Sequence, residues 1–307
     1  MNFGRTDPAE LDKLNLSLPP DAPGNKTILN GTPAAAPKIY IGNPMWGSKH
    51  WLGKLYPSNT KEKQWPELYP QHFNSIELNA THYKIYDQDF VLRWKEKALG
   101  HDFIFSPKMY NGITHEGHLK DKAPLVQQFM ESISYLQPYL GPVFIQLSDS
   151  FSTIRKLELY AFLESLPKDH QFFLEVRHEG WFNISVVRKE LFGLLKELKI
   201  GAVITDSPGR RDAAHMELTI PKAFIRWVGN NLHPTDHPRI NDWVQRIKHW
   251  LDNGLQELYF FVHMPEEEFN PELVDYMVDK LNATCGLQLP KPKLRDNPKI
   301  VQGRMFD

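Results

Sequence analysis

Apolar residues in this chain gather into eight short runs, each carrying polar side chains at its end. IYIGN, ending on Asn43, opens the series. FNSIELN (Glu77, Asn79), FIFSPK (Ser106, Lys108), VFIQLS (Gln146, Ser148), FFLEVRH (Glu175, Arg177), AVITD (Asp206), AFIRW (Arg226) and YFFVH (His263) follow. Side chains alternate between the faces of a strand, so Glu77 and Asn79 share a face, as do Ser106 and Lys108, and Glu175 and Arg177. This parity predicts that Glu77, Lys108, Glu175, Arg177, Asp206, Arg226 and His263 aim into one mouth.

The stretches between the runs have the three- and four-residue apolar spacing of helices. Helices are predicted over 87–99, 123–140, 153–166, 184–198, 240–253 and 271–281. Alternating βα units with continuous apolar strands predict a parallel sheet covered on both faces. Eight units over about 225 residues fit an α/β fold of one (β/α)8 TIM-like barrel. An open doubly wound sheet is the competing architecture. In both, ligands bind at the carboxyl ends of the strands. The Pro- and Ala-rich residues 1–37 read as a flexible N-terminal arm, residues 38–285 as the barrel, and the proline-punctuated residues 286–307 as a tail that packs on the barrel or trails from it. The long stretch 43–69 holds Trp46, Trp51 and Trp65 and reads as an ordered loop over the mouth, with a hydrophobic cap favoured over ligand stacking.

Composition narrows the function classes. A net charge of −1 gives no basic footprint for nucleic acid or acidic membranes. The single Cys285 excludes an internal disulfide and cysteine-rich zinc sites. The first residues lack the apolar core of a secretory signal, and no segment approaches the roughly 20 apolar residues needed to span a bilayer. A cytoplasmic protein with a small-molecule ligand is the expectation.

Two carboxylates, Glu77 and Glu175, are the candidate acid and base, because one buried in an apolar wall is raised in pKa while one beside a cation stays ionised. Asp206 and His178 are added as catalytic candidates, His178 because its strand is expected to place it beside Glu175 and Arg177. Lys108, Arg177 and Arg226 converge from three strands and suit an anionic or sugar-like ligand. Asn43, Trp46, Asn79, Gln146 and His263 complete the expected ligand contacts. A structural ion-pair network is the plain alternative for the charged members. No cofactor is required. A divalent metal on Asp206, His263, Glu77 and Glu175 is disfavoured by the three cations and by the absence of HxH or HExxH spacing. Lys108 also offers a sharper alternative, a desolvated amine able to form a Schiff base. A non-catalytic binding or scaffold barrel is the rival from another class.

The stretches IGNPMWGSKHWLGKLYP, FNSIELNATHY, FSPKMYNGITHE, GPVFIQLSDSF, FLEVRHEGWF, ITDSP and FIRWVGN, spread over residues 38–265, make the chain resemble the domain of unknown function 72 family. The resemblance implies a TIM-like barrel and supplies no reaction.

Overall fold

The computed structural model describes residues 3–295. Eight strands form one parallel barrel: β1 (Lys38–Asn43), β2 (Ser75–Leu78), β3 (Ile104–Pro107), β4 (Val143–Gln146), β5 (Phe172–Glu175), β6 (Gly201–Asp206), β7 (Lys222–Val228) and β8 (Glu257–His263). β1 pairs with both β2 and β8, and pairing runs on through β7, β6 and β5 to β4. Isolated bridges, Phe105 with Leu140 and Lys108 with Phe144, span the seam between β3 and β4. The barrel therefore prevails over the open sheet, because β1 pairs with β8 from Lys38 beside Glu257 to Gly42 beside Phe261 and no edge is left in the middle of the series.

Register fixes which residues look inward. Phe224 lies beside Val203 and Tyr259, and Phe173 beside Phe144. These residues join Tyr40, Ile104, Ile220 and Phe261 in a buried cluster that fills the lower barrel. Its rings pack against one another, with Phe224 5.3 Å from Phe144, 5.3 Å from Phe173 and 5.1 Å from Phe261. The interior is thus a packed core rather than a channel. One step of the pleat higher, the inward positions become polar, which sets the site on an aromatic floor.

Helices cover the outside. Gln88–Ala98, Lys156–Ser165 and Ser185–Glu197 lie within their predicted spans, the second led in by a 3-10 turn at Thr153–Arg155. The helix expected over 123–140 stops at Ser134. Pro138 lacks a donor and disfavours helical backbone in the residue before it, so turns occupy the remainder. Asp236–Asp252 starts four residues before the predicted 240, accommodating Pro238 in its first turn. Asn270–Cys285 runs beyond the predicted 281 to Gly286, a left-handed C-terminal cap at φ +68°.

The arm lies along the barrel. Asn25 bonds the backbone of Met216 and Leu218, and Asp21 pairs with Arg246 at 2.7 Å. Within the expected tail, Lys293 N donates to His72 Nδ1 and Arg295 N to Lys54 O; residues 296–307 lie outside the described residues.

Candidate functional site

Above the aromatic floor, β7 supplies Arg226, the centre of a buried charge network. Its Nε and Nη2 donate to the two oxygens of Glu77, each at 2.8 Å, and its Nη1 donates to Glu175 Oε2 at 2.7 Å. The guanidinium thus bridges carboxylates from β2 and β5 in the two-pronged geometry that suits it. Glu77 also accepts from Asn79 Nδ2 (2.9 Å) and from His263 Nε2 (3.0 Å). Glu175 accepts from Arg177 Nε (2.9 Å), Gln146 Nε2 (2.7 Å) and Thr205 Oγ1 (3.1 Å). Gln146 turns its Oε1 to Lys108 Nζ at 2.7 Å. Phe144 below underlies both cations, 5.3 Å from Arg226 and 5.9 Å from Lys108.

Burial opposes charge here, and the network decides the outcome. Burial alone would push the Glu77 carboxyl up, yet Arg226 and then His263 hold it well below its usual range. Glu175 is likewise pulled down to about 2 by Arg177 and Arg226 against its burial. His263 is lowered, chiefly by burial, so at neutral pH it is an uncharged imidazole whose Nε2 proton serves Glu77. The expected contrast between one raised and one ionised carboxylate is not what the network produces, because a single guanidinium serves both. Neither is placed to act as a proton donor near neutrality.

Lys108 differs. Burial, then the nearby Arg226, lower its amine to about 8, and it keeps 8 % of its surface exposed while Glu77 and Glu175 keep 0 % and 1 %. Lys108 and Arg177 are the outer members of the network. Around them stand His82 and His115, whose rings are 4.9 Å apart; both are lowered by burial and then by Lys108, His82 to about 4. Asp149 lies 3.7 Å from Arg177 on the exposed side.

Eight of the residues expected from the sequence are brought together: Glu77, Asn79, Lys108, Gln146, Glu175, Arg177, Arg226 and His263. Four are not. Asp206 is a correction, because the register pairs Thr205 with Arg226 and Asp206 with Trp227, which sends Asp206 to the helical layer. There its carboxylate takes Trp243 Nε1 at 2.7 Å, Arg239 at 3.0 Å and Arg211, and these cations hold it ionised against its burial. His178 is out of phase with Glu175 and Arg177, and its Nδ1 caps the next turn by accepting from Gly180 N at 3.1 Å. Trp46 packs outside the barrel, edge-on to Tyr69 and Phe105 and stacked 6.5 Å from Phe103. Asn43 is buried on the same outer side, its backbone N donating to Tyr69 Oη at 2.8 Å. The Trp-rich stretch is therefore a packed cap, with Trp51 against Tyr56 and Phe73.

Thr205 and His82 belong to the site and escape sequence parity. AVITD carries no phase of its own, since apolar Val203 and Ile204 stand two steps before Thr205 and Asp206 alike; His82 follows its strand in a short helical turn, Ala80–Tyr83, and carries no strand signal. Among the described residues, no group of three or more His, Cys, Asp and Glu side chains is placed to hold a metal ion, and no helix is long and apolar enough to cross a membrane.

Comparison with known proteins agrees with this architecture. The chain is 30 % identical over 282 residues to the UPF0759 protein YecE of Escherichia coli K12, covering 86 % of this chain and 98 % of that one. It is 29 % identical over 156 residues to the UPF0759 protein YunF of Bacillus subtilis, 47 % of this chain and 52 % of that one. A crystal structure of a DUF72 family protein from Enterococcus faecalis superposes with a TM-score of 0.63 at 18 % identity, over 84 % of this chain and all of that one. Another from Thermotoga maritima superposes with a TM-score of 0.56 at 23 % identity, over 74 % and 92 % of the two chains. The model of the family described as "Protein of unknown function DUF72" matches residues 40–296, and the chain belongs to that family.

Proposed function

We propose that the barrel mouth is an enzyme site for a small anionic substrate, with Lys108 as its proton-transferring group and the Glu77–Arg226–Glu175 network as a fixed electrostatic floor. The observation that carries this reading is the contrast between Lys108 and the carboxylates. Its amine is held near 8, close to working pH, while both carboxylates are tied to guanidinium groups. General acid–base catalysis is most effective when the group titrates near the ambient pH. In the network two carboxylates face Arg226, Arg177 and protonated Lys108, so positive charge is in excess and an anion is the natural counterpart. Exposed Asp149 offsets Arg177 only from the solvent side.

Thermal unfolding with phosphate, sulfate and small carboxylates tests this. Wild type is expected to be stabilised at pH 7 by at least one of these anions, because a ligand that prefers the folded state raises its stability. Lys108→Met should weaken that anion about tenfold or more, the size of a lost charge-assisted hydrogen bond. Affinity should fall as pH rises through about 8, where the Lys108 ammonium loses its proton. No response to any anion, or an equal response in Lys108→Met, would sink the proposal.

The same lowered amine favours a second reading, in which Lys108 attacks a carbonyl acid, an N–C bond forms and the carbonyl oxygen leaves as water. Borohydride reduction in the presence of an α-keto acid should then leave a mass adduct on the Lys108 peptide. An adduct spread evenly over exposed lysines would rule this reading out.

A further inference from the structure

The N-terminal arm enters the barrel mouth with Phe3 and Gly4. The Phe3 ring centroid lies 4.4 Å from the guanidinium carbon of Arg177 and 4.7 Å from that of Arg210, and the side chain is 7 % exposed. The single Ser207 Oγ proton is shared between the carbonyl oxygens of Phe3 (3.0 Å) and Gly4 (2.8 Å), and Gly209 N donates to Gly4 O at 2.8 Å. The fit is close on both sides. Gly4 sits at φ +66°, where a Cβ would fall 2.3 Å from Ser207 Oγ, and a Cβ on Gly209 would fall 2.8 Å from Gly4 O. Arg177 is the outer arginine of the charge network, joined through Glu175 and Gln146 to Lys108. The Phe3 ring therefore stands at the entrance to the group proposed to meet substrate.

We propose that Phe3 and Gly4 form a displaceable plug in the entry subsite, and that the ligand taking their place carries a planar aromatic ring with an acidic group. This rests on the anion reading of Lys108 and deepens it. Two guanidinium groups around one ring make a slot for an aromatic π-face. A phenylalanine fills that slot without supplying charge, whereas a ring bearing a carboxylate would add attraction to Arg177 and Lys108. The plug is held by one ring and two hydrogen-bond donors, Ser207 Oγ and Gly209 N, and such bonds, exchanged against water, contribute modestly to stability. Ligand binding energy of ordinary size is enough to displace it.

The test uses full-length wild type, Phe3→Ala and Gly4→Val, all verified as folded by circular dichroism. Lys108 acetylation by acetic anhydride is followed by peptide mass spectrometry, with exposed Lys61 as internal reference, alone and with benzoate or acetate. Both variants should acetylate Lys108 about tenfold faster than wild type, the factor set by losing the ring–guanidinium contacts. Benzoate should protect Lys108 at lower concentration than acetate, and lower still in Phe3→Ala. Unchanged labelling in both variants beside Lys108-dependent anion binding would overturn the plug and leave the anion reading standing. Faster labelling with no protection by either anion would overturn the ligand class and the anion reading together. Benzoate protecting no better than acetate would overturn the aromatic ligand alone.

Discussion

Replacing Arg226 with methionine is expected to lower the unfolding free energy by about 3–5 kcal/mol, the usual consequence of leaving a buried charge without its partner. Arg226 is 3 % exposed and is the shared counter-ion of two carboxylates that are themselves sealed from water. Without it, burial would drive at least one of them to bind a proton at neutral pH. The pH dependence then separates variant from wild type. Wild-type Glu77 and Glu175 have depressed pKa values, so their contribution is fully present above the ordinary carboxylate range and is lost as pH falls towards about 2, the Glu175 value. Wild type should be nearly flat between pH 7 and pH 5 in this respect. In Arg226→Met the folded-state values are raised, the folded state takes up protons, and stability should increase as pH falls through the same window. Urea unfolding followed by tryptophan fluorescence at pH 7 and pH 5 gives both quantities. A loss below about 1 kcal/mol, with wild-type pH dependence, would mean that the network is not the interior's charge anchor. Combining Arg226→Met with Glu77→Gln and Glu175→Gln should recover much of the loss, because removing a whole buried ion group is far milder than removing one member.

The fold was legible because each strand announces itself: an apolar run, a polar end and a helical stretch after it. The site was legible wherever the polar end had a phase, as at Gln146, Glu175 and Arg226, whose inward positions follow from the phenylalanine two steps earlier. At AVITD that cue is ambiguous, since Thr205 and Asp206 are both polar and lie on opposite faces; only their pairing with Arg226 and Trp227 decides between them. His178 fails for the same reason, being one step out of phase with Arg177. Charge state was illegible, because it depends on Arg226 reaching across 149 positions to one carboxylate and 51 to the other. The plug was illegible too: nothing in the local sequence of Phe3 points to Arg177 and Arg210.

Asp206 gives the second large effect and the sharpest contrast with the site. Asp206→Ala should destabilise the protein by about 3–5 kcal/mol, because it takes the nearer carboxylate from Arg239, which is 3 % exposed and keeps Asp236 at 3.6 Å, and the acceptor from the buried indole of Trp243. The carboxylate joins the end of β6 to the helix Asp236–Asp252, and so acts as a clamp between barrel and helical layer. Its pKa is depressed by Arg239 and Arg211, so this contribution is present at neutral pH and weakens only as pH falls below the ordinary carboxylate range. Asp206→Asn retains an oxygen acceptor for Trp243 and should lose less, which keeps a folded protein for the ligand assay. In Asp206→Asn the anion response and the Lys108 titration are expected to match wild type, because the register turns this side chain away from the mouth. Chemical denaturation and the anion thermal-shift series measure the two properties separately. If Asp206→Asn abolished the anion response while preserving stability, the side chain would have to act in the mouth, and the division between a Lys108 site inside the barrel and an Asp206 clamp outside it would fall.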